Sequence, residues 1–349
     1  MIKSNIALST ASRLLNEKTI AAIKLKGGKN SIVYSVSDTR DNNYLVKFYF
    51  RHDRDPRDRL KVEFTSLNFL WKNGVRCIPQ PLIADENLQC AIYTYIEGQK
   101  IAMNSISDSD IGQVVAFSEQ LRKLGRVQES RTLPPASEAC FSIGDIVKNL
   151  KQRLSRLLNI ENKNPEYEAL SGFLKNEFIP CFKKTNNGCL NQADRMSIPF
   201  NGKLSRNERV LSTSDFGFHN AIKDRDGRIF FVDFEYFGWD DPSKTICDFL
   251  LHPAMNLNHK LKNAFFRSMV HTFGDLGALP ERTKIVYPLF GLKWCLILLN
   301  EFVPEFMSRR IFSMENDTDQ KRQLTMQLKK ARNFMKKIRR SHASFPYAY

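Results

Sequence analysis

Residues 213–235 read TSDFGFHNAIKDRDGRIFFVDFE. An Asp-Gly turn precedes an apolar run, so residues 221–232 predict a β-hairpin. Asn220 and Asp233 then lie at neighbouring ends of two paired strands, a place where loops collect functional side chains. Asp215 precedes Asn220 by five residues. The stretch therefore predicts a polar cluster of Asp215, Asn220 and Asp233.

The chemistry of these three side chains favours a metal-bound triphosphate. Mg²⁺ in proteins is typically held by one or two carboxylates together with substrate phosphates. Residues 215–248 hold eight acids against four bases, although the chain of 349 residues carries a net charge of +16. Each side chain alone has an ordinary interpretation, such as capping a turn or ending a strand. Their joint spacing is what favours a site.

Two charged residues upstream predict a second part of this site. Lys47 lies in the apolar run 45–48, where an unpaired ammonium group would be costly. Glu63 lies on or beside the apolar face of a helix predicted over 53–73, and a Lys47–Glu63 pair would neutralise both charges. Alternatively, Lys47 reaches water from an edge strand and Glu63 pairs with a neighbour on the helix surface.

A glycine pair lies between the first two predicted strands of the N-terminal region. The loop 27–31, with Gly27, Gly28 and Ser31, could bring backbone N–H groups close to a phosphate. Such a pair is also common in ordinary turns. The predicted strands are 21–26, 32–37, 44–50 and 90–96.

The sequence becomes mainly helical after Gly98, so we place a domain boundary at Glu97/Gly98. Residues 183–209 are polar and predict a loop or insertion. Residues 285–299 are too short and interrupted to span a bilayer, which indicates a buried core helix. Residues 1–15 lack the apolar run of a signal peptide. Helices are predicted at 109–124, 143–158, 167–182 and through most of 243–340.

The seven cysteines indicate the redox environment of the protein, and the C-terminal charges indicate which surfaces it could contact. The number of cysteines is odd and no two form a C-x-x-C pair, which argues against a zinc site or disulfide framework and favours a reduced, cytoplasmic protein. Residues 320–349 hold nine Lys/Arg and no acid. An apolar stripe predicts a basic amphipathic helix at about 318–340, which either docks by that stripe or contacts a polyanion or membrane surface.

Taken in order, these pieces resemble the aminoglycoside phosphotransferase/choline kinase family, the small-molecule branch of the protein-kinase-like fold. The family pattern H-G-D-x-x-x-x-N is followed by an Asp at a strand end and then by G-x-x-D-P. Here the counterparts are residues 213–220, Asp233 thirteen residues after the Asn, and GWDDP at 238–242. The chain departs from the pattern at Thr213 and Ser214, where the family has His-Gly.

The resemblance implies a bilobal α+β fold. A nucleotide-binding N-lobe, residues 1–97, would contain an antiparallel sheet plus one helix. A mainly helical C-lobe, residues 98–349, would contain the catalytic loop and the substrate site.

The resemblance also implies roles for individual residues. Lys47, fixed by Glu63, would contact the α- and β-phosphates of ATP, and main-chain groups near Tyr95 and Glu97 would bind adenine. Asp215 would orient the substrate hydroxyl and accept its proton. In addition, Mg²⁺ would be held by Asn220 and Asp233.

These features favour an ATP- and Mg²⁺-dependent phosphotransferase acting on a hydroxyl of a small molecule. A sugar or sugar derivative is favoured over an aminoglycoside antibiotic, because such a polycation needs an acid-lined pocket and the chain ends in a cationic helix. The alternative is a catalytically weak or inactive kinase-like binding protein that engages a polyanion or membrane surface through that helix. Nucleic acid is not an expected partner, and the missing H-R-D, D-F-G and A-P-E motifs disfavour a protein kinase.

Overall fold

An antiparallel five-stranded sheet forms the N-terminal region, with strand order β1-β2-β3-β5-β4. The computed structural model describes residues 2–25, 31–51, 57–306, 320–341 and 345–348. The strands of this sheet are β1 (Thr19–Lys24), β2 (Ser31–Asp38), β3 (Asn43–Tyr49), β4 (Pro81–Asp85) and β5 (Cys90–Thr94). In the register Lys47 of β3 lies opposite Val33 and Ala91. Lys47 is therefore on a central strand, which excludes the edge-strand alternative for this residue.

Helix α2 (Arg59–Lys72) packs against this sheet and carries Glu63 on its buried face, beside Leu60 and Leu67. Asp58 caps its first turn, because the carboxylate accepts the Lys61 backbone N–H at 2.9 Å. A carboxylate at this position also interacts favourably with the positive end of the helix dipole.

The expectation of one helix in the N-lobe is wrong. Helix α1 (Ser4–Leu15) precedes the sheet and buries Ala7 and Ala11 against it. It ends at Asn16, whose φ of 52° is left-handed. Much of the buried face of α1 consists of alanine, which gives a weak periodic hydrophobic signal in the sequence.

Short strands link this region to the rest of the chain. Strand β6 (Gln99–Lys100) pairs with β8 (Ala221–Lys223), which forms the predicted hairpin with β9 (Ile229–Phe231). A separate pair joins β7 (Val210–Ser212) and β10 (Gly238–Asp240). The predicted boundary at Glu97/Gly98 falls between β5 and β6, which belong to different sheets.

Helices form most of the remaining described chain. Helix α9 (Leu279–Leu298) lies at their centre and contacts the helices Ile143–Leu158, Ile179–Arg195 and Pro242–Leu251 and the C-terminal helix. Segment 279–302 is long and apolar enough to cross a membrane, but 78% of its most apolar window is buried in the protein, as in a core helix. The other helices are α3 (Asp108–Leu124), α4 (Ile143–Leu158), α5 (Pro165–Phe173), α6 (Ile179–Arg195), α7 (Pro242–Leu251) and α8 (His259–Thr272).

The predicted loop at 183–209 is wrong in its first half. A single π-helical turn, Leu174–Phe178, joins α5 to α6, and α6 continues to Arg195. Buried Cys181, Thr185 and Cys189 recur at four-residue steps, so tertiary packing outweighs the weak helix propensity of residues 186–188.

The C-terminal helix α10 (Gln320–Ser341) docks by its apolar stripe, as the first of the two alternatives requires. Gly291 of α9 allows the close approach, since a Cβ there would lie 2.5 Å from Ile338 Cδ1. The buried stripe residues are Leu324, Leu328, Ala331, Met335 and Ile338. Many Lys and Arg side chains on the opposite face are exposed, which leaves a cationic surface.

Candidate active site

Lys47 joins the sheet, helix α2 and the strand end at Asp233. Its Nζ lies 2.7 Å from Glu63 Oε2 and 2.7 Å from Asp233 Oδ1. Glu63 also accepts the Tyr49 hydroxyl at 2.8 Å and the Phe234 backbone N–H at 3.1 Å. The predicted Lys47–Glu63 pair is present, and it extends to a residue 170 positions beyond Glu63, Asp233.

The ammonium group of Lys47 remains charged. Burial acts to lower the pKa of Lys47, but the carboxylates of Asp233 and Glu63 outweigh it and raise that pKa well above its ordinary value. The Asp233 side chain is one third exposed, whereas that of Glu63 is buried. One side of this cluster is therefore open to a ligand.

Asp215 and Asn220 lie in the loop before the hairpin and face each other. Asn220 Nδ2 donates to the Asp215 carbonyl oxygen at 3.0 Å and lies 3.3 Å from Asp215 Oδ2. The Val232 backbone N–H donates to the Asn220 carbonyl oxygen at 2.9 Å, which places Asn220 beside the residue preceding Asp233. The prediction that Asn220 and Asp233 lie at neighbouring strand ends is confirmed by this bond.

The two proposed metal ligands have the right donor atoms for Mg²⁺. Because Asn220 uses its amide nitrogen toward Asp215, its amide oxygen is left to serve as a ligand. Asp233 uses Oδ1 toward Lys47, so Oδ2 remains for a cation. An amide oxygen and a carboxylate oxygen beside a place for phosphates match the preference of Mg²⁺.

Two histidines that sequence reasoning did not place in the site converge on Asp215. His219 Nε2 lies 3.1 Å and His252 Nε2 lies 3.4 Å from the same oxygen, Asp215 Oδ1. The two imidazole rings stack with centroids 3.7 Å apart, and His252 meets Trp294 edge-on. His252 lies 37 residues beyond Asp215, just after α7, so no local motif indicates it.

The environment keeps Asp215 ionised. Burial acts to raise the pKa of Asp215, but the hydrogen bonds from His219 and Asn220 act against it, and that pKa lies below its ordinary value. A carboxylate that stays ionised can accept a hydrogen bond from a substrate hydroxyl.

Asp215, His219 and His252 are also close enough to suggest a metal site of their own. The hydrogen bonding of His252 argues against it. The Ala254 backbone N–H donates to His252 Nδ1 at 3.1 Å, so Nδ1 carries no proton and the neutral ring holds its proton on Nε2. A metal-bound Nε2 would need the opposite tautomer. The cluster therefore fits hydrogen bonding to Asp215 rather than metal binding.

A buried charge cluster supports the loop before Asp215. Lys244 Nζ lies 2.7 Å from Asp240 Oδ2 and 2.9 Å from Asp248 Oδ2, and it donates to Ser214 Oγ at 2.9 Å. Ser214 has a left-handed φ of 65°, where the resembled family has glycine. The serine side chain thus compensates for an unfavourable backbone angle by bonding to Lys244.

The structure describes three of the remaining predicted site residues, Ser31, Tyr95 and Glu97. Ser31 is buried at the start of β2, and Gly27 and Gly28 lie outside the described residues. Tyr95, half-buried, and Glu97, exposed, lie between β5 and β6.

No protein-family model matches the chain, and no curated protein matches it in sequence. Solved structures do match it. A spectinomycin phosphotransferase in complex with ADP and spectinomycin aligns with a TM-score of 0.65 at 11% identity, covering 97% of this chain and 99% of that chain. A choline/ethanolamine kinase family protein from Mesorhizobium loti aligns with a TM-score of 0.60 at 17% identity, covering 97% of each chain.

A third similar structure is the choline kinase LicA from Streptococcus pneumoniae, with a TM-score of 0.58 at 15% identity, covering 95% of this chain and 98% of that chain. These likenesses confirm the bilobal α+β, protein-kinase-like fold of small-molecule phosphotransferases.

Proposed function

We propose that this protein is an ATP- and Mg²⁺-dependent phosphotransferase that transfers the γ-phosphoryl group to a hydroxyl of a small molecule. One observation carries the proposal. The Lys47–Glu63–Asp233 cluster and the Asp215–Asn220 pair come from distant parts of the chain and meet where Val232 bonds to Asn220. A solely structural role would not require an open, partly exposed Asp233 at this junction.

The nucleotide side of the site follows from the charges. Lys47, held by Glu63, would contact the α- and β-phosphates of ATP. Asn220 and Asp233 are the proposed ligands of Mg²⁺, which when bound would neutralise charge on the phosphates. For the rest of the nucleotide we propose backbone contacts from the loop with Gly27, Gly28 and Ser31, and adenine contacts from the main chain at Tyr95 and Glu97.

The acceptor side centres on Asp215. Its carboxylate would orient the acceptor hydroxyl toward the γ-phosphorus and take the hydroxyl proton as the oxygen–phosphorus bond forms. The bond between the γ-phosphorus and the bridging oxygen breaks, and ADP leaves. Positioning and charge neutralisation account for most of the catalysis in such a reaction.

The surroundings of Asp215 favour a neutral or anionic acceptor, such as a sugar or sugar derivative. The two side chains that converge on Asp215 Oδ1 are imidazoles rather than carboxylates. Asp248 is already paired with Lys244 and accepts the Trp294 indole N–H at 3.0 Å. A polycation would find few unpaired acids among these groups.

An acceptor screen tests the proposed function. ATP consumption is measured with sugars, sugar derivatives, choline-like alcohols and aminoglycosides, and products are identified by mass spectrometry. Asp215→Asn should lower kcat at least 100-fold, in line with about 10²–10⁴ for a general base. Asp226→Asn, an exposed turn residue in the same hairpin, is the matched control and should retain activity. Absence of turnover with every acceptor would refute the enzyme, and preference for aminoglycosides would refute the sugar assignment.

The second candidate function is adsorption to an anionic membrane surface, and the exposed cations of α10 favour it. Because the apolar stripe of α10 is buried, this helix can adsorb by charge without inserting. Lysines near an anionic bilayer contribute about 1 kcal/mol each. Lys329, Lys330 and Lys336 are exposed.

Vesicle co-sedimentation tests this candidate with anionic and zwitterionic lipids. Changing these three lysines to Glu should weaken binding to anionic vesicles about 100-fold or more. Lys148, Lys151 and Lys175, also exposed, provide a control with the same change in charge. Equal losses in both triple variants would show that net charge, not α10, is responsible.

A further inference from the structure

We propose that the stacked His219–His252 pair is a positioning device for Asp215. The pair holds Oδ1 and leaves Oδ2 as the oxygen that takes the acceptor proton. The inference rests on the proposed phosphotransferase function and assigns to it two residues outside the Asp and Asn of the resembled motif.

Hydrogen bonding fixes the orientation of His252. Its Nδ1 accepts the Ala254 backbone N–H, so the proton of the neutral ring lies on Nε2, which faces Asp215 Oδ1 at 3.4 Å. The ring is held on one side by the stacked His219 and at its edge by Trp294, 4.4 Å between centroids. His252 can therefore present an N–H to the carboxylate in one orientation.

The surroundings of His219 also determine which of its ring nitrogens carries the proton. Its Nε2 lies 3.1 Å from Asp215 Oδ1, and its Nδ1 is buried without a hydrogen-bond partner among the described residues. With the proton on Nε2, the ring donates to the carboxylate. With the proton on Nδ1, an N–H would be buried unpaired and a lone pair would face an anionic oxygen, which is more costly.

The two imidazoles therefore converge on one oxygen of the carboxylate. Asp215 Oδ2 accepts a hydrogen bond from Asn220 Nδ2 at 3.3 Å, and a carboxylate oxygen has a second lone pair that can accept the acceptor hydroxyl. Fixing Oδ1 sets the plane of the carboxylate and thereby the direction of Oδ2. In the transfer step the acceptor O–H bond breaks, its proton passes to Oδ2, its oxygen bonds to the γ-phosphorus, and ADP leaves.

Steady-state kinetics of the full chain test the pair, with the best acceptor found in the screen. His219→Ala removes a hydrogen bond to Asp215 Oδ1, and His252→Ala removes an Nε2 that faces the same oxygen at 3.4 Å. Each should lower kcat about tenfold or more while the KM for ATP stays unchanged. His252→Gln, whose amide N–H replaces Nε2–H, should restore kcat to within about threefold of wild type. His271→Ala, an exposed histidine on α8, is the matched control.

A double-mutant cycle separates positioning from structural support. If both rings hold one oxygen, the double alanine variant should lose less than the product of the two single losses. Equal losses in the Ala and Gln variants, accompanied by a matching fall in thermal stability, would overturn the proposal. Full kcat in His252→Ala alongside an active wild type would overturn it while leaving the proposed function intact.

Imidazole ¹⁵N spectra test the geometry without turnover. His252 should show a protonated Nε2 and an unprotonated Nδ1, with its signals assigned by comparison with His252→Gln. The opposite tautomer, or stoichiometric binding of Zn²⁺ that disappears in His252→Gln, would overturn the proposal. A wild type without phosphotransfer to any acceptor would overturn the proposed function and, with it, the catalytic part of this inference.

Discussion

Two lysines, Lys47 and Lys244, are buried between pairs of carboxylates, yet their surroundings differ. The side chains around Lys244, those of Asp240 and Asp248, are at most 5% exposed. Next to Lys47, Asp233 is 33% exposed. In both clusters burial acts to lower the lysine pKa and the carboxylates outweigh it, so the pKa is raised.

The difference separates the proposed nucleotide-binding cluster around Lys47 from the supporting cluster around Lys244. A phosphate can approach Lys47 from the side where Asp233 reaches solvent. No ligand can approach Lys244, whose third partner is the Ser214 hydroxyl. Under the proposed function the same residue types would bind a ligand in one place and support a backbone loop in the other, and burial of the acids distinguishes them.

The largest expected effect is on stability, at the enclosed cluster. Lys244→Met leaves Asp240 and Asp248 buried without their cation, which should cost about 3–5 kcal/mol of the free energy of unfolding. Urea denaturation measures it. Lys151→Met, an exposed lysine on α4, should stay within about 0.5 kcal/mol of wild type. A loss below about 1 kcal/mol for Lys244→Met would contradict the supporting role.

The open cluster should show the reverse pattern. Lys47→Met should lower kcat/KM for ATP about 100-fold or more, because a preorganised cation for the phosphates is removed. Its loss of stability should be smaller than that of Lys244→Met, since Glu63 keeps the Tyr49 hydroxyl and the Phe234 N–H, and Asp233 reaches water. ATP kinetics and urea denaturation of Lys47→Met and Lys244→Met test this pattern. Equal destabilisation of the two variants would contradict the distinction between the two clusters.

A substitution in helix α9 should disturb the Lys244 cluster without disturbing the Lys47 cluster. Trp294 of α9 bonds to Asp248 of the enclosed cluster, and Gly291, one turn earlier, contacts Ile338. Gly291→Val should cost about 1–3 kcal/mol by overpacking. The cost should be smaller in an Ile338→Ala background, while the KM for ATP stays unchanged in an active variant. An altered KM for ATP would show that the two clusters are coupled.

The smallest effect concerns Lys262, which pairs with no carboxylate in the described part of the chain. Lys262 donates to the Leu250 carbonyl oxygen at 2.6 Å, and burial together with the charge of Lys337 lowers its pKa from 10.5 to about 8. Between these values the folded chain has released a proton that the unfolded chain still holds, so stability rises with pH. Relative to Lys262→Met, wild type should gain stability from pH 8 to 10.5. A difference independent of pH would contradict the lowered pKa.

The sequence was sufficient for those parts of the site that a local pattern specifies. Asp215, Asn220 and Asp233 are linked by a short hairpin, so their spacing along the chain limits their spacing in space. Lys47 and Glu63 could be paired because each charge interrupts an apolar pattern. Their roles with ATP, Mg²⁺ and the acceptor remain proposals that the experiments above test.

The parts that were missed depend on contacts between distant segments. His252 meets Asp215 only after Phe249 of α7 has packed against Phe216 and Phe218 of the loop before the hairpin, and no spacing rule relates the two residues. Helix α1 buries mainly alanines, which give little signal, and α6 contains the helix-disfavouring residues 186–188 but is held by its buried face. In each case tertiary packing supplied information that propensity and periodicity lack.

Ser214 also has a consequence for how such a chain can diverge. A serine at a left-handed backbone angle is tolerable here because its hydroxyl bonds to Lys244. A glycine would relieve the angle but leave Lys244 with one partner fewer, whereas loss of Lys244 would leave the serine without compensation. We therefore expect Ser214 and Lys244 to covary across homologous sequences, with glycine at position 214 where the lysine at 244 and its carboxylate partners at 240 and 248 are replaced together.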